Sequence, residues 1–382
     1  MNYSILKRAL TLLLALLLIG CFPTVLFAEQ EIETEAKSVI LIEAESGKVL
    51  YEENADEPLP PASVTKIMTL LLVMEAIKEG KISLEDQVST SERAASMGGS
   101  QVYLEVGEQM TVDEMIKCVV VASANDAAAA LAEHVAGSLE AFVAQMNKRA
   151  QELQMTATNF ENTNGLDDTT TNHVTSARDI ATMSRELLKY DKILEYTGIW
   201  MDTVRNGAFG LTNTNRLIRF YKGANGLKTG YTSGAGFCIS ATAKRDGMQL
   251  IAVVMASPTS NERNATAVKL LDYGFANYEF FKSKECTELS LPVKAGKKEQ
   301  VSLQYGSTGA LLQKGQGKNV KEELTLPEEL VAPVQKGQVV GKITWRLDGK
   351  EIGCSEIVAT QDVPRLSFLD LFVKLLNSYA LF

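Results

Sequence analysis

Three short stretches of this chain carry residue types that could do chemistry together. Ser63 and Lys66 stand three positions apart at the head of a long apolar run, a spacing that puts both side chains on one helical face. A serine hydroxyl is a weak nucleophile until a base removes its proton, and a desolvated lysine can be that base without histidine. Free N–H groups at a helix start favour the negative charge that such an attack develops. Ser123 and Asn125 flank Ala124 and would present a hydroxyl and an amide from a loop. Lys228, Thr229 and Gly230 follow Gly226. Their ammonium and hydroxyl suit an anionic group, and the glycine would let a ligand lie against a strand edge.

Each stretch taken alone carries little information. About one or two Ser-x-x-Lys copies arise by chance in such a length, and Lys-Thr-Gly in about one such chain in ten; Ser4 and Lys7 are one accidental copy. Helix capping alone would account for Ser63 and for Ser123-Ala124-Asn125. Against capping at Ser63, a lysine in the first turn opposes the helix dipole.

Composition narrows the alternatives. Only His134 and His173 occur among 382 residues, so a His-rich zinc cage is excluded and a Ser/His/Asp triad would have to use one of the two. Both read as structural histidines. Cys118, Cys238, Cys286 and Cys354 lie far apart with no C-x-x-C, which reads as buried thiols rather than a disulfide framework or a metal site. No metal or organic cofactor is implied. With 46% hydrophobic residues and a formal charge of −9, the chain is too apolar for disorder and too acidic for a nucleic-acid partner.

The elements that must position these residues follow from periodicity. Ser38 to Ile42 and Lys48 to Tyr51 flank Glu45-Ser46-Gly47 and predict a hairpin. Val64 to Ile77 is apolar nearly all round, the pattern of a helix in the middle of a domain. Helical patterns recur at Thr111 to Val119, Asn125 to Ala136, Leu139 to Leu153, Ala177 to Tyr190 and Asn264 to Tyr278. Phe237 to Arg245 and Met248 to Ser257 are joined by Asp246-Gly247, a strong hairpin signal. Together they predict an α+β domain over 29–282, its helices gathered on an antiparallel sheet with strands from both ends of the domain. Helical periodicity then stops, and strand-like runs predict a small all-β domain over 283–364, a spacer or interaction module.

Both ends of the chain point to a membrane. Lys7 and Arg8 precede an apolar run, the order of a secretory signal peptide, with Ala28 ending a leader over 1–28. A second reading takes Leu18-Ile19-Gly20-Cys21 as a lipobox with Cys21 lipidated. Residues 365–382 form an amphipathic segment whose polar Ser367, Asp370, Lys374, Asn377 and Ser378 step by three and four. It is too short and too charged to span a bilayer and fits a helix lying on a membrane surface. The alternative is a helix packed on its own domain.

Ser-x-x-Lys, Ser-x-Asn and Lys-Thr-Gly in that order resemble the penicilloyl serine transferases. More narrowly, the chain resembles the serine-type D-alanyl-D-alanine carboxypeptidases, the low-molecular-mass penicillin-binding proteins. The likeness covers nearly the full length: leader, Ala62 to Lys66, Ser123 to Ala127, Asn164 to Asp167, Ser176 to Asp179, Lys228 to Thr232, β domain and amphipathic tail. It implies a β-lactamase/transpeptidase-like fold on the outer face of the cytoplasmic membrane, in the cell wall or in the periplasmic space. The implied partner is a peptidoglycan stem peptide, with β-lactam antibiotics as inhibitors. By the resemblance, Ser63 attacks the carbonyl between the two terminal D-alanines, Lys66 is the base, and Ser123 with Lys228 relays the proton to the departing D-alanine. Asn125 would hydrogen-bond the substrate amide, the N–H groups of Ser63 and Tyr231 would form the oxyanion hole, and Thr229 and Arg263 would hold the terminal carboxylate.

This chain departs from many relatives at Tyr231 and from some at Asn164, where they carry histidine. A class A β-lactamase shares the core motifs but adds a glutamate and its water; no Glu-x-x-Leu-Asn element stands near residues 155–175. A non-hydrolytic penicillin sensor with the same fold is the other alternative, and the three intact motifs argue against it.

Overall fold

The computed structural model describes residues 32–168, 170–283, 286–306 and 309–379. The leader, Cys21 and the terminal Leu381 and Phe382 lie outside the described residues. The β-branched runs pair as expected. Ser38–Glu43 is antiparallel to Val49–Glu53 on one edge and to Met248–Ser257 on the other. Gly236–Arg245 and then Ala224–Thr232 complete a five-stranded sheet. Strands from both ends of the domain therefore share one sheet, and its edge strand carries Lys228, Thr229 and Gly230.

Every residue of Ser38–Glu43 is buried because helices cover both faces. Alternation along the strand sends Ile40 and Ile42 into the core with Ile67, Met68 and Leu71, and sends Leu41 to the opposite face. There Gly274 of the Ser260–Asn277 helix lies so close to Leu250 and Leu41 that a Cβ would meet them at 2.5 and 3.1 Å. The Lys66–Lys78 helix is buried from Lys66 through Met74, as a helix apolar on all sides must be. Each buried Leu, Ile, Val or Met there contributes roughly 1.5–3 kcal/mol. The helix beginning at Ala177 ends at Leu187, short of the expected Tyr190.

Side chains cap most of the other starts. Thr111 and Glu114 form a reciprocal capping box ahead of Val112–Val121, and Ser138, Ser176 and Thr259 accept from the backbone N–H three residues on. Each such cap is worth about 1 kcal/mol.

Residues after the Ser260–Asn277 helix build mainly sheets. Tyr278–Lys282 pairs with Gly309–Gln313. A six-stranded sheet runs Lys321–Thr325, Val339–Leu347, Lys350–Ala359, Gln300–Tyr305, Cys286–Lys294, Leu330–Val331. Its core is Val301, Leu303, Ile343, Trp345 and Ile357. Cys118 and Cys238 are buried free thiols, but Cys354 is exposed, correcting the expectation of a buried one. It pairs with Thr344, on the strand face opposite Ile343 and Trp345. Phe368–Tyr379 forms the terminal helix, tied back by Lys297 to Asp370 at 3.0 Å. Among the described residues no single helix is long and apolar enough to cross a membrane.

Candidate active site

Ser63 sits in a 3-10 turn, Ala62–Thr65, that runs directly into the Lys66–Lys78 helix, and no side chain caps either start. Ala62 takes a left-handed φ of 48°, a conformation costing about 1–2 kcal/mol in a residue other than glycine. Its neighbours hold it there. The Thr65 hydroxyl donates to the Ala62 carbonyl at 2.8 Å and lies 2.8 Å from His173 Nε2. His173 Nδ1 accepts from the Glu161 N–H at 3.0 Å, which assigns the ring proton to Nε2 and makes it the donor to Thr65. Burial lowers the His173 pKa to about 4, so the imidazole stays neutral. Behind the turn, a Cβ on Gly165 would meet the Ala62 oxygen at 1.8 Å; only glycine fits.

Lys66 reaches three acceptors. Its Nζ is 2.9 Å from Ser63 Oγ, 2.5 Å from Asn125 Oδ1 and 3.0 Å from the Asn164 carbonyl. Burial holds its pKa well below the ordinary lysine range and the nearby Lys228 charge adds to this, while Asp126 opposes it. A neutral amine has two N–H donors and one lone pair. With those donors committed to Asn125 and Asn164, the neutral form would turn its lone pair to the Ser63 hydroxyl.

Ser123 is buried, with a left-handed φ of 61°, and the helix after it is capped by Ala124 with no side-chain hydrogen bond. Neither motif serine therefore caps its helix. Asn125 donates from Nδ2 to the Gly98 carbonyl and from its backbone N–H to Ser100, both at 2.7 Å. The buried Asp126 carboxylate accepts from the N–H groups of Val102, Leu104 and Ala127. Sequence reading missed this 98–104 wall. The available signal was an acid, Asp126, following Asn125 at the head of an alanine-rich run.

Lys228 is buried and donates to the Thr229 carbonyl at 2.9 Å; burial, with Arg263 nearby, lowers its pKa to about 7. A Cβ on Gly230 would meet the Pro61 carbonyl at 2.8 Å and Ser63 N at 2.9 Å. The glycine thus lets the strand press against the serine turn, a packing reason that the ligand-edge reading did not include. Thr229 Oγ1 donates to Thr214 Oγ1 at 2.7 Å, a partner that no motif pointed to. Arg263 is buried, donates to Asn264 Oδ1 and lies 6.0 Å over Phe237; burial lowers its pKa to about 10. Tyr231 stacks on the same Phe237 ring at 4.2 Å and is itself exposed.

Lys228 and Arg263 are both buried, and among the described residues neither forms an ion pair with a carboxylate. Buried cations without counter-charges are costly, and a ligand carboxylate would relieve that cost. A hydroxyl beside a neutral amine, next to an electropositive floor, is equipped for acyl transfer from a substrate that ends in an anion. A cavity of about 610 Å³ adjoins this centre, lined by Met97, Gly98, Asn164 and Leu166 among others.

Comparison with known proteins agrees with this chemistry. The D-alanyl-D-alanine carboxypeptidase family matches residues 25–259, and the C-terminal domain of penicillin-binding protein 5 matches residues 275–365. The D-alanyl-D-alanine carboxypeptidase DacF of Bacillus subtilis is 44% identical over 390 residues, spanning 98% of this chain and 100% of that one. Penicillin-binding protein 5 of Haemophilus influenzae superposes with a TM-score of 0.69 at 35% identity, covering 87% of this chain and 98% of that structure. Penicillin-binding protein D2 of Listeria monocytogenes, solved in its ampicillin-bound form, superposes with a TM-score of 0.59 at 31% identity over 64% of this chain and 99% of that structure.

Proposed function

The chain belongs to the D-alanyl-D-alanine carboxypeptidase family, and from that membership we propose how its own residues remove the terminal D-alanine of a peptidoglycan stem pentapeptide. Lys66 takes the Ser63 proton, and Oγ attacks the carbonyl carbon of the D-alanyl-D-alanine bond. The N–H groups of Ser63 and Tyr231 receive the oxyanion. Ser123, with Lys228, passes a proton to the nitrogen of the departing D-alanine, so that the C–N bond breaks and an ester on Ser63 remains. Water then hydrolyses the ester. Asn125 keeps a second Nδ2 hydrogen for the substrate amide, while Thr229 and Arg263 hold the terminal carboxylate beside Lys228.

The single observation that carries this reading is the 2.9 Å approach of Lys66 Nζ to Ser63 Oγ, with the two other contacts of that nitrogen already committed. Penicillin carries the same acyl pattern, and β-lactams would acylate the same serine. Mass spectrometry of the intact protein after labelled penicillin should map the adduct to Ser63, and Ser63→Ala should release no D-alanine from a pentapeptide. An adduct elsewhere would overturn the assignment.

We further propose that the enzyme is exported by the 1–28 leader, that 29–282 is the catalytic part and 283–364 a spacer or interaction module, and that the tail after it lies on the membrane. The support for the tail is an exposed apolar face: Phe368 is 88% and Leu369 72% exposed at the start of an amphipathic helix.

A further inference from the structure

Beside the catalytic strand lies a cationic surface with no acidic partner. From Thr212 onward burial alternates: Thr212, Thr214 and Arg216 are exposed, whereas Asn213, Asn215 and Leu217 are buried. Asn215 fixes this stretch, donating to the Gly226 carbonyl at 2.9 Å and accepting from Leu217 N at 3.1 Å. Since Thr214 touches Thr229 at 2.7 Å, Arg216 lies only two residues, about 7 Å of chain, beyond that contact.

Aromatic rings hold the guanidinium groups in place. Arg216 lies 5.7 Å from the Phe220 ring centre, and Arg219 lies 5.6 Å from Trp200 and 5.5 Å from Phe220. Phe220 itself is 65% exposed. Among the described residues neither arginine forms an ion pair. A guanidinium held over a ring has lost part of its rotamer freedom already while its N–H donors stay available, so a carboxylate can be gripped at reduced ordering cost. The chain as a whole carries a formal charge of −9. A polymer bearing carboxylates is repelled by most of such a surface and drawn to its unpaired cations.

We propose that Arg216 and Arg219, braced by Trp200 and Phe220, form a docking surface for carboxylates of polymeric peptidoglycan lying beyond the stem peptide in the cleft. This rests on the carboxypeptidase reading and adds a preference for polymer over free peptide. The occupant is the wall polymer because its stem peptides repeat along each strand, so a second stem can present its carboxylates while the first is being cut.

The test compares Arg216→Gln/Arg219→Gln with the parent enzyme on two substrates, purified peptidoglycan stripped of attached phosphate polymers and a soluble pentapeptide. On the stripped polymer, D-alanine release per enzyme should fall by about tenfold, the size of one lost charge-assisted contact. Added salt should slow the parent on polymer and leave the variant little changed. On the soluble pentapeptide both proteins should have the same kcat/KM, and both should be acylated by penicillin at the same rate. Equal losses on both substrates, or no loss on either, would overturn the proposal. A loss seen only on peptidoglycan that retains its phosphate polymers would overturn it too, because the occupant would then be those polymers. Loss of all activity in the parent would instead count against the carboxypeptidase reading.

Discussion

At the scale of single residues, two buried lysines carry the proposed chemistry. Lys228 in the folded protein loses its proton near pH 7, against an ordinary value of 10.5, because it is buried beside Arg263. Unfolding lets it keep the proton up to 10.5, so between 7 and 10.5 the unfolded state binds more protons and stability rises with pH. Below 7 the whole penalty is present. Lys228→Met should therefore stabilise the protein at pH 6 by about 2–5 kcal/mol, with the gain vanishing toward pH 10, while slowing penicillin acylation severely. Urea denaturation at both pH values checks the first part, and a variant less stable than the parent at pH 6 would contradict it. Lys66 is depressed in the same direction and is coupled to Lys228. Acylation of the parent should consequently fall as pH drops and these lysines take up protons, along an acid limb that belongs to the pair rather than to either residue.

At the scale of elements, the serine turn is the component under strain, and its support comes from far along the chain. Gly165→Ala would drive a methyl into the Ala62 carbonyl, 1.8 Å away, at a backbone φ of 86°. We expect a loss of about 3 kcal/mol or more, seen as a lowered Tm, together with much reduced D-alanine release; an unchanged Tm would mean that the turn is not supported there. His173 acts through Thr65 on the same turn. Its folded pKa of about 4 lies below the ordinary 6.5, so the unfolded state protonates first as pH falls. Stability from this group is complete above 6.5 and declines by about 3 kcal/mol as pH drops to 4. His173→Gln should flatten that window in denaturation measured from pH 4 to 7. Apolar runs located most strands and helices correctly, because periodicity is a local signal. The strained turn was not legible, since Gly165 and His173 act on Ala62 only once the chain has folded back by more than a hundred residues.

At the scale of the whole molecule, the terminal helix and the catalytic domain should be separable in function. Deleting residues 366–382 should leave hydrolysis of soluble pentapeptide unchanged and reduce sedimentation with phospholipid vesicles several-fold, as removal of an interfacial apolar face requires. Equal sedimentation of both forms would show that the helix does not anchor the protein.

Residue types and order alone pointed to three candidate stretches and identified the α+β architecture and the family, because those depend on chemistry and periodicity carried by the chain itself. Folding decided which groups meet. The Asn164 carbonyl on Lys66, the Thr214 hydroxyl on Thr229, the 98–104 wall on Asn125 and the closeness of Gly230 to Ser63 have no motif. A backbone carbonyl looks the same at every position in a sequence, and the lowered lysine pKa values come from burial, which exists only in the packed state.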